Sequence, residues 1–246
     1  MRLQCGKFRL ALACPLIMGV VNVTPDSFSD GGDCATTEAA LARAHRLIEE
    51  GADIIDLGGE STRPGSAGVP LEEERRRVLP VLEALAGGAV PVSVDTQKPA
   101  FMRDAIAAGA AMINDINALQ APGALDAVAA SDVAVCLMHK QGAPADMQVD
   151  PRYDDVVAEV LAFLAGRVRA VRDAGVAPER IVIDPGFGFG KTLEHNLELL
   201  RRLYEFKAIG AAVLAGVSRK RMLGDITGRA VAERVFASVA AALIAV

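Results

Sequence analysis

Leu16 to Val23 reads LIMGVVNV, an apolar run of strand length that ends on an asparagine and opens into TPDSFSDGG, Thr24 to Gly32. Six more runs of the same kind follow: DIIDLGG at 53–59, PVSVDT at 91–96, MINDIN at 112–117, VAVCLMH at 133–139, IVIDPG at 181–186 and VLAGVS at 213–218. Each is rich in β-branched residues and bounded by turn residues, which marks a strand. Between them lie helical patterns at 36–52, 71–87, 98–110, 122–131, 153–175 and 193–206, with a last one at 229–246. Strand then helix, seven times over, is a βα repeat. Continuous apolar strands are buried on both faces, so the sheet is parallel and covered by helices.

Two architectures share that string of elements, an open doubly wound sheet and a (β/α)8 TIM barrel. The position of the polar residues decides between them. Asn22, Asp56, Asp95, Asn114, Asp115, His139, Asp184 and Ser218 fall at the C-terminal ends of nearly all the strands. A barrel gathers all such ends around one mouth, whereas an open sheet gathers only those at its switch point. The expectation is a single barrel domain over residues 1–246, with residues 1–14 forming an N-terminal β-hairpin. Seven strands leave the eighth βα unit outside this sequence, which therefore reads as a shortened form of a longer chain.

Composition narrows the function. The chain has 246 residues, 52% of them hydrophobic, and a net charge of −5 with Lys and Arg scattered through the helices. That pattern offers neither a nucleic-acid groove nor an anionic membrane surface. LIMGVV is far short of the roughly 20 apolar residues that span a bilayer. Four cysteines without a CxxC pair suit a reducing cytoplasm. The partner expected is a small molecule.

A carboxylate that ends a buried strand costs several kcal/mol unless it is paired or hydrogen-bonded. Asp95, Asp184 and Asn114 need partners, and for any one of them a backbone N–H or a lysine would do. Three around one mouth, with Lys220 beside Ser218, point to a polar ligand. A flat heterocycle carrying adjacent N–H and NH2 donors suits a carboxylate, and its carbonyl or ring nitrogen suits a lysine or an amide. In GGESTRPGSAGVP, Thr62 and Arg63 supply a hydroxyl and a guanidinium that suits phosphate. PGFGFGKT, Pro185 to Thr192, fails both as a P-loop, with three residues rather than four between Gly186 and Gly190, and as a GxGxxG turn. It remains a βα loop with one core phenylalanine and one aromatic wall. His139 is a lesser ligand candidate, and His45 and His195 sit in helical patterns. No metal cage is visible, but a Mg2+ held mostly by substrate phosphates needs only one protein oxygen, which Asn22 supplies.

These phrases, MGVVNVTPDSFSDGG, GADIIDLGGESTRPG, PVSVDT, INDI, LMHKQG, IVIDPGFGFGKT and GVSRKRMLG, run in that order from Met18 to Gly224. In them the chain resembles the dihydropteroate synthase family. The resemblance implies a (β/α)8 enzyme of folate synthesis, a sulfonamide target, that joins 6-hydroxymethyl-7,8-dihydropterin diphosphate to p-aminobenzoate and releases diphosphate. It implies that Asn22 contacts Mg2+ and diphosphate and that Asp95, Asn114, Asp184 and Lys220 form the pterin pocket. Thr62, Pro64, Phe189 and Ser218 are implied near the aminobenzoate, Arg63 on the diphosphate side, and Phe28 packed on the aryl ring under a lid spanning residues 22–32. Catalysis is implied to rest on Asn22, Arg63, Asp95 and Lys220. A homodimer through late helices is also implied, as is an Arg-x-His pair on the eighth strand, which this sequence lacks. The alternatives are a pterin-binding methyltransferase module, against which TPDSFSDGG and STRPG speak, and a non-catalytic pterin-binding protein.

Overall fold

The structure, a computed structural model, describes residues 1–24, 37–60, 68–142 and 147–246. An antiparallel hairpin, β1 (Arg2–Cys5) and β2 (Phe8–Ala11), opens the chain, pairing Arg2 with Ala11 and Cys5 with Phe8. Seven parallel strands follow in sequential order: β3 (Met18–Asn22), β4 (Ile54–Gly58), β5 (Val92–Asp95), β6 (Met112–Asp115), β7 (Ala134–Met138), β8 (Ile181–Asp184) and β9 (Ala212–Val213). The helices are α1 (Thr37–Glu49), α2 (Leu71–Leu85), α3 (Pro99–Ala107), α4 (Ala124–Ala129), α5 (Val156–Asp173), α6 (Leu193–Arg201), α7 (Arg221–Thr227) and α8 (Val235–Ala245).

Strand residues alternate between two apolar clusters, as the two-residue pleat requires. Val21, Ile55, Leu57, Val94, Ile113, Leu137 and Ile183 point outward into the helix layer. Ile54, Met112, Ala134, Cys136 and Val182 point inward, where they meet Leu3 and Cys5 of the hairpin. Met18 of β3 and Ala212 of β9 pack against this same inner cluster, so the first and last strands curl toward one axis. The hairpin plugs the N-terminal end, and the backbone N–H of Gly6 donates to the Asp132 carbonyl at 3.1 Å. A parallel sheet wrapped by helices, with its interior filled by side chains, is the barrel arrangement that the strand pattern implied.

Three elements differ from the sequence reading. The run VLAGVS yields a strand of only two residues, β9, because Val213 and Ala212 pair with β8 alone among the described residues. The pattern at 193–206 breaks after Arg201 into a 3-10 segment, Leu203–Ile209. Helix α7, seven residues long, lies between VLAGVS and the last helical pattern, in a stretch to which the sequence reading assigned no element. At the opposite edge of the sheet, β3 pairs with β4 alone among the described residues, and its inward-facing Val20 is 52% exposed. No helix among the described residues is long and apolar enough to cross a membrane.

Candidate functional site

The strand register sets the mouth. Asn22 lies opposite Gly58, Gly58 opposite Asp95, and Asp95 opposite Asn114, so three polar side chains share one level across four strands. Asp56 stands one inward position below Gly58, beside Ser93. Asp184, two residues beyond the inward Val182, reaches the same space from the far side. Asp115 follows Asn114 and therefore faces the other way. Its two carboxylate oxygens accept from the N–H groups of Asn117 (2.7 Å) and Leu119 (2.8 Å). The Arg167 guanidinium donates to the Ala118 and Leu119 carbonyls at 2.8 and 3.0 Å. Ala118 and Leu119 both have positive φ, 51° and 56°, an unfavourable conformation for residues bearing a Cβ. Asp115 and Arg167 hold that turn in place, so Asp115 is a scaffold residue.

The floor of the mouth is acidic and incompletely paired. The Asn114 amide nitrogen donates to Asp56 Oδ2 at 3.1 Å. Asp56 Oδ1, Ser93 Oγ and Asp95 Oδ1 are buried and have no hydrogen-bond partner among the described residues. Burial raises the Asp56 carboxyl above its usual range, opposed by the nearby Ser93 hydroxyl, which does not reach hydrogen-bond geometry, and by the Asn114 hydrogen bond. Asp95 is held well above that range by burial and by the neighbouring charges of Asp56, Asp115, Glu74 and Glu60. Orphaned polar atoms at the bottom of a cleft are what a polar guest completes.

Asp184 is 6% exposed, and its Oδ1 accepts from the Gly186 N–H at 2.7 Å. The bland backbone partner is therefore real, but it takes only one oxygen. Burial raises the Asp184 carboxyl, against the pull of Lys220 and Lys191. Lys220 is the N-cap residue of α7, and its ammonium stands 4.3 Å from the centroid of the Phe189 ring, a cation–π arrangement. Burial lowers the Lys220 pKa, while Asp184 and Asp95 raise it. The turn that delivers Lys220 is anchored from the C-terminal segment. Arg219 has φ 53°, its N–H donates to Ser238 Oγ at 2.9 Å, and Arg234 donates to its carbonyl at 3.2 Å. Of the two phenylalanines in the loop after β8, Phe187 is core at 1% exposure and Phe189 is the wall.

The other expected residues fall out as follows. Asn22 is half-buried at the rim, its Oδ1 3.3 Å from where a Cβ on Gly58 would sit, so glycine there leaves that oxygen clear. Ser218 is exposed, one residue before the Arg219 turn. Phe28, Thr62, Arg63 and Pro64, with the rest of the expected lid, lie outside the described residues. His139 is not a mouth residue: it is 7% exposed, its Nδ1 lies 3.0 Å from the Lys191 ammonium, and its ring packs edge-on against Phe163. His195 caps its own helix reciprocally with Thr192. Sequence reasoning missed Lys191, dismissed with the failed P-loop, and missed the ion-paired cluster of Lys98 with Glu60 and Glu74 behind the second loop. The signal for that cluster was Glu60 inside GGEST, an acid flanking two glycines at a strand end.

No group of three or more His, Cys, Asp or Glu suited to a metal ion exists among the described residues. A single amide oxygen at the rim fits a divalent ion carried chiefly by a ligand's phosphates rather than one caged by protein.

A family model described as pterin binding enzyme matches residues 18–246. The dihydropteroate synthase of Neisseria meningitidis serogroup C is 51% identical over 248 residues, covering 99% of this chain and 88% of that protein. Among solved structures, Xanthomonas albilineans dihydropteroate synthase with 4-aminobenzoic acid is 57% identical at a TM-score of 0.93, covering 99% of this chain and 88% of that one. The same enzyme in complex with 7,8-dihydropteroate is 54% identical at 0.90, covering 100% and 88%. The chain belongs to the pterin-binding enzymes, in the dihydropteroate synthase family.

Proposed function

We propose that this chain joins 6-hydroxymethyl-7,8-dihydropterin diphosphate to p-aminobenzoate, releasing diphosphate and forming 7,8-dihydropteroate, as a transferase of folate biosynthesis. The observation that carries the reading is that Asp184 and Lys220 lie near enough to feel each other's charge, at a mouth whose floor leaves Asp56 Oδ1, Ser93 Oγ and Asp95 Oδ1 without hydrogen-bond partners among the described residues. A pterin matches that set. Its 2-amino and N3–H groups donate to the free oxygen of Asp184, and its carbonyl and ring nitrogen accept from Lys220. Asn114 and Asp95 take the remaining polar edge, and Phe189 and Ser218 stand toward the second substrate.

Departure of diphosphate leaves positive character on the pterin methylene, and the amine of p-aminobenzoate attacks it without a covalent enzyme intermediate. The chain's own part is to orient the pterin, exclude water and meet developing charge with preplaced groups. Asp95 lies near enough to Lys220 to raise its pKa, and its carboxyl would stand on the side of the developing cation. Asn22 is the residue that would hold Mg2+, which when bound neutralises the departing diphosphate. Arg63 would act on the same side, with Thr62, Pro64 and Phe28 around the aryl ring.

The 246 residues form one pterin-binding domain in this reading. Helix α8 supports a homodimer, since Phe236 is 89%, Leu243 73% and Ile244 67% exposed. The cytoplasm suits soluble substrates and the free thiols of Cys5, Cys14 and Cys136. Sulfonamides, shaped like p-aminobenzoate, would compete for its place. An assay of diphosphate release supplied with each substrate alone and with both together tests the reaction. Release that requires both supports it; pterin binding without release would favour a non-catalytic binding protein.

A further inference from the structure

The motif GFGFGKT carries Lys191, a lysine with no part in the chemistry above. It is 3% exposed. Its Nζ lies 3.0 Å from the Gly186 carbonyl, 3.0 Å from that of Phe189, 3.4 Å from that of His139 and 3.0 Å from His139 Nδ1. An ammonium has three N–H donors and no acceptor, so four acceptors around it saturate it. Among the described residues no carboxylate bonds to it directly, and a buried cation held mainly by dipoles is costly to keep.

What the ammonium gathers is two loops. His139 directly follows β7, while Gly186 and Phe189 belong to the turn after β8. Those loops touch backbone to backbone: a Cβ on Gly186 would lie 1.9 Å from the His139 carbonyl oxygen, and one on Gly190 2.4 Å from that of Gln141. The flanks are tied as well, with the Gly188 N–H donating to Asn196 Oδ1 at 2.7 Å and the Tyr153 hydroxyl to the Gly190 carbonyl at 2.8 Å. Within this frame, the Phe189 carbonyl is held by Lys191 and the Phe189 ring faces Lys220.

We propose that Lys191 is a positioning residue of the pterin site: its ammonium draws the His139, Gly186 and Phe189 carbonyls together and so fixes the Phe189 ring against the Lys220 ammonium. The inference rests on the pterin reading and deepens it. Lys191 acts through Phe189 and touches no ligand.

A neutral amine keeps two N–H groups and turns a lone pair toward a carbonyl oxygen, so the loop is tightest while Lys191 is protonated. Burial brings its pKa down to about 7, with Asp184 raising it and Lys220 lowering it further. The charged or titratable groups facing it are His139, Asp184 and Lys220, with His195 and Tyr153 on the flank. Burial holds His139 neutral, its pKa down to about 3, so the histidine does not change charge where the lysine does.

The test is calorimetric binding of 6-hydroxymethyl-7,8-dihydropterin from roughly pH 6 to pH 9 to the wild type, Lys191→Met, Phe189→Ala and the double variant. Wild-type affinity is expected to fall several-fold as pH rises through about 7. Lys191→Met is expected to bind about tenfold more weakly at the acid end, the loss of one charge-assisted contact network, and to lack that pH step. Phe189→Ala also loses the step, and adding Lys191→Met to it costs nothing more, because no ring remains to be placed. A step that persists in both single variants belongs to Lys220 or the ligand and overturns the proposal, as does a full Lys191→Met loss in the Phe189→Ala background. If Lys191→Met fails to fold by circular dichroism, the wild-type and Phe189→Ala profiles decide. A wild type that binds no pterin refutes the underlying reading instead.

Discussion

The Asn114 amide nitrogen donates to Asp56 Oδ2 across 3.1 Å, from the end of β6 to the middle of β4. Because the carboxylate takes the NH2 group, Asn114 turns its carbonyl oxygen toward the mouth as an acceptor. Asp56→Asn removes the charge that sets this orientation. Pterin affinity is expected to fall about fivefold to a hundredfold, the range of roughly 1–3 kcal/mol for an unsatisfied buried group, while KM for p-aminobenzoate stays unchanged. Titration calorimetry with steady-state kinetics checks both halves, and unaltered pterin affinity would show that Asp56 does not set Asn114.

Lys98 ties the second loop to α2. Its ammonium pairs with Glu60 and, at 2.6 Å, with Glu74, whose side chain is fully buried and whose Oε1 has no partner among the described residues. Lys98→Met leaves two carboxylates without their cation and is expected to destabilise the protein by about 3–5 kcal/mol in urea unfolding, as breaking a buried pair from one side does. Burial already raises the Glu74 carboxyl, with the Lys98 hydrogen bond opposing. Without Lys98 it rises further, so the deficit is largest at neutral pH and shrinks in acid as Glu74 takes up a proton. Adding Glu74→Gln recovers part of the loss; no recovery would place the damage elsewhere.

Gly186 has φ 71° and sits against the His139 carbonyl. Gly186→Ala places a methyl group in occupied backbone space and in a conformation alanine disfavours. The loop that carries Phe189 must shift. Loss of pterin binding with most of the secondary structure retained is expected by calorimetry and far-UV circular dichroism, and full retention of binding would contradict the packing described.

Lys191 also has a stability signature. Its pKa drops from 10.5 to about 7 on folding, so between those values the unfolded chain carries the extra proton. This residue therefore opposes folding below about 7, and its penalty fades as pH rises toward the unfolded value. The unfolding free energy of the wild type minus that of Lys191→Met should climb with pH across that window, by at most about 1.4 kcal/mol per pH unit. A flat difference would mean that the buried lysine keeps its proton across the whole window, its pKa not lowered by folding.

The strands and the mouth were legible because both faces of the sheet are apolar until the chain reaches its C-terminal end. MIND makes the point in four residues: period two sends Met112 and Asn114 inward and Ile113 and Asp115 outward, which separates the site asparagine from the scaffold aspartate. Lys191 and the Lys98 cluster were not legible. Their meaning lies in contacts across 52 and 38 residues of sequence, which no local period records. Helix α7 hid for another reason, since seven residues show too few turns for a helical period to emerge.

The central claim is that Asp184 and Lys220 grip a pterin between them. Titration calorimetry of 6-hydroxymethyl-7,8-dihydropterin into the wild type, Asp184→Asn and Lys220→Met measures this directly. The account predicts binding to the wild type and at least about a tenfold loss in each variant, the worth of a charge-assisted hydrogen bond at roughly 1.5–3 kcal/mol. Wild-type affinity in either variant would contradict it.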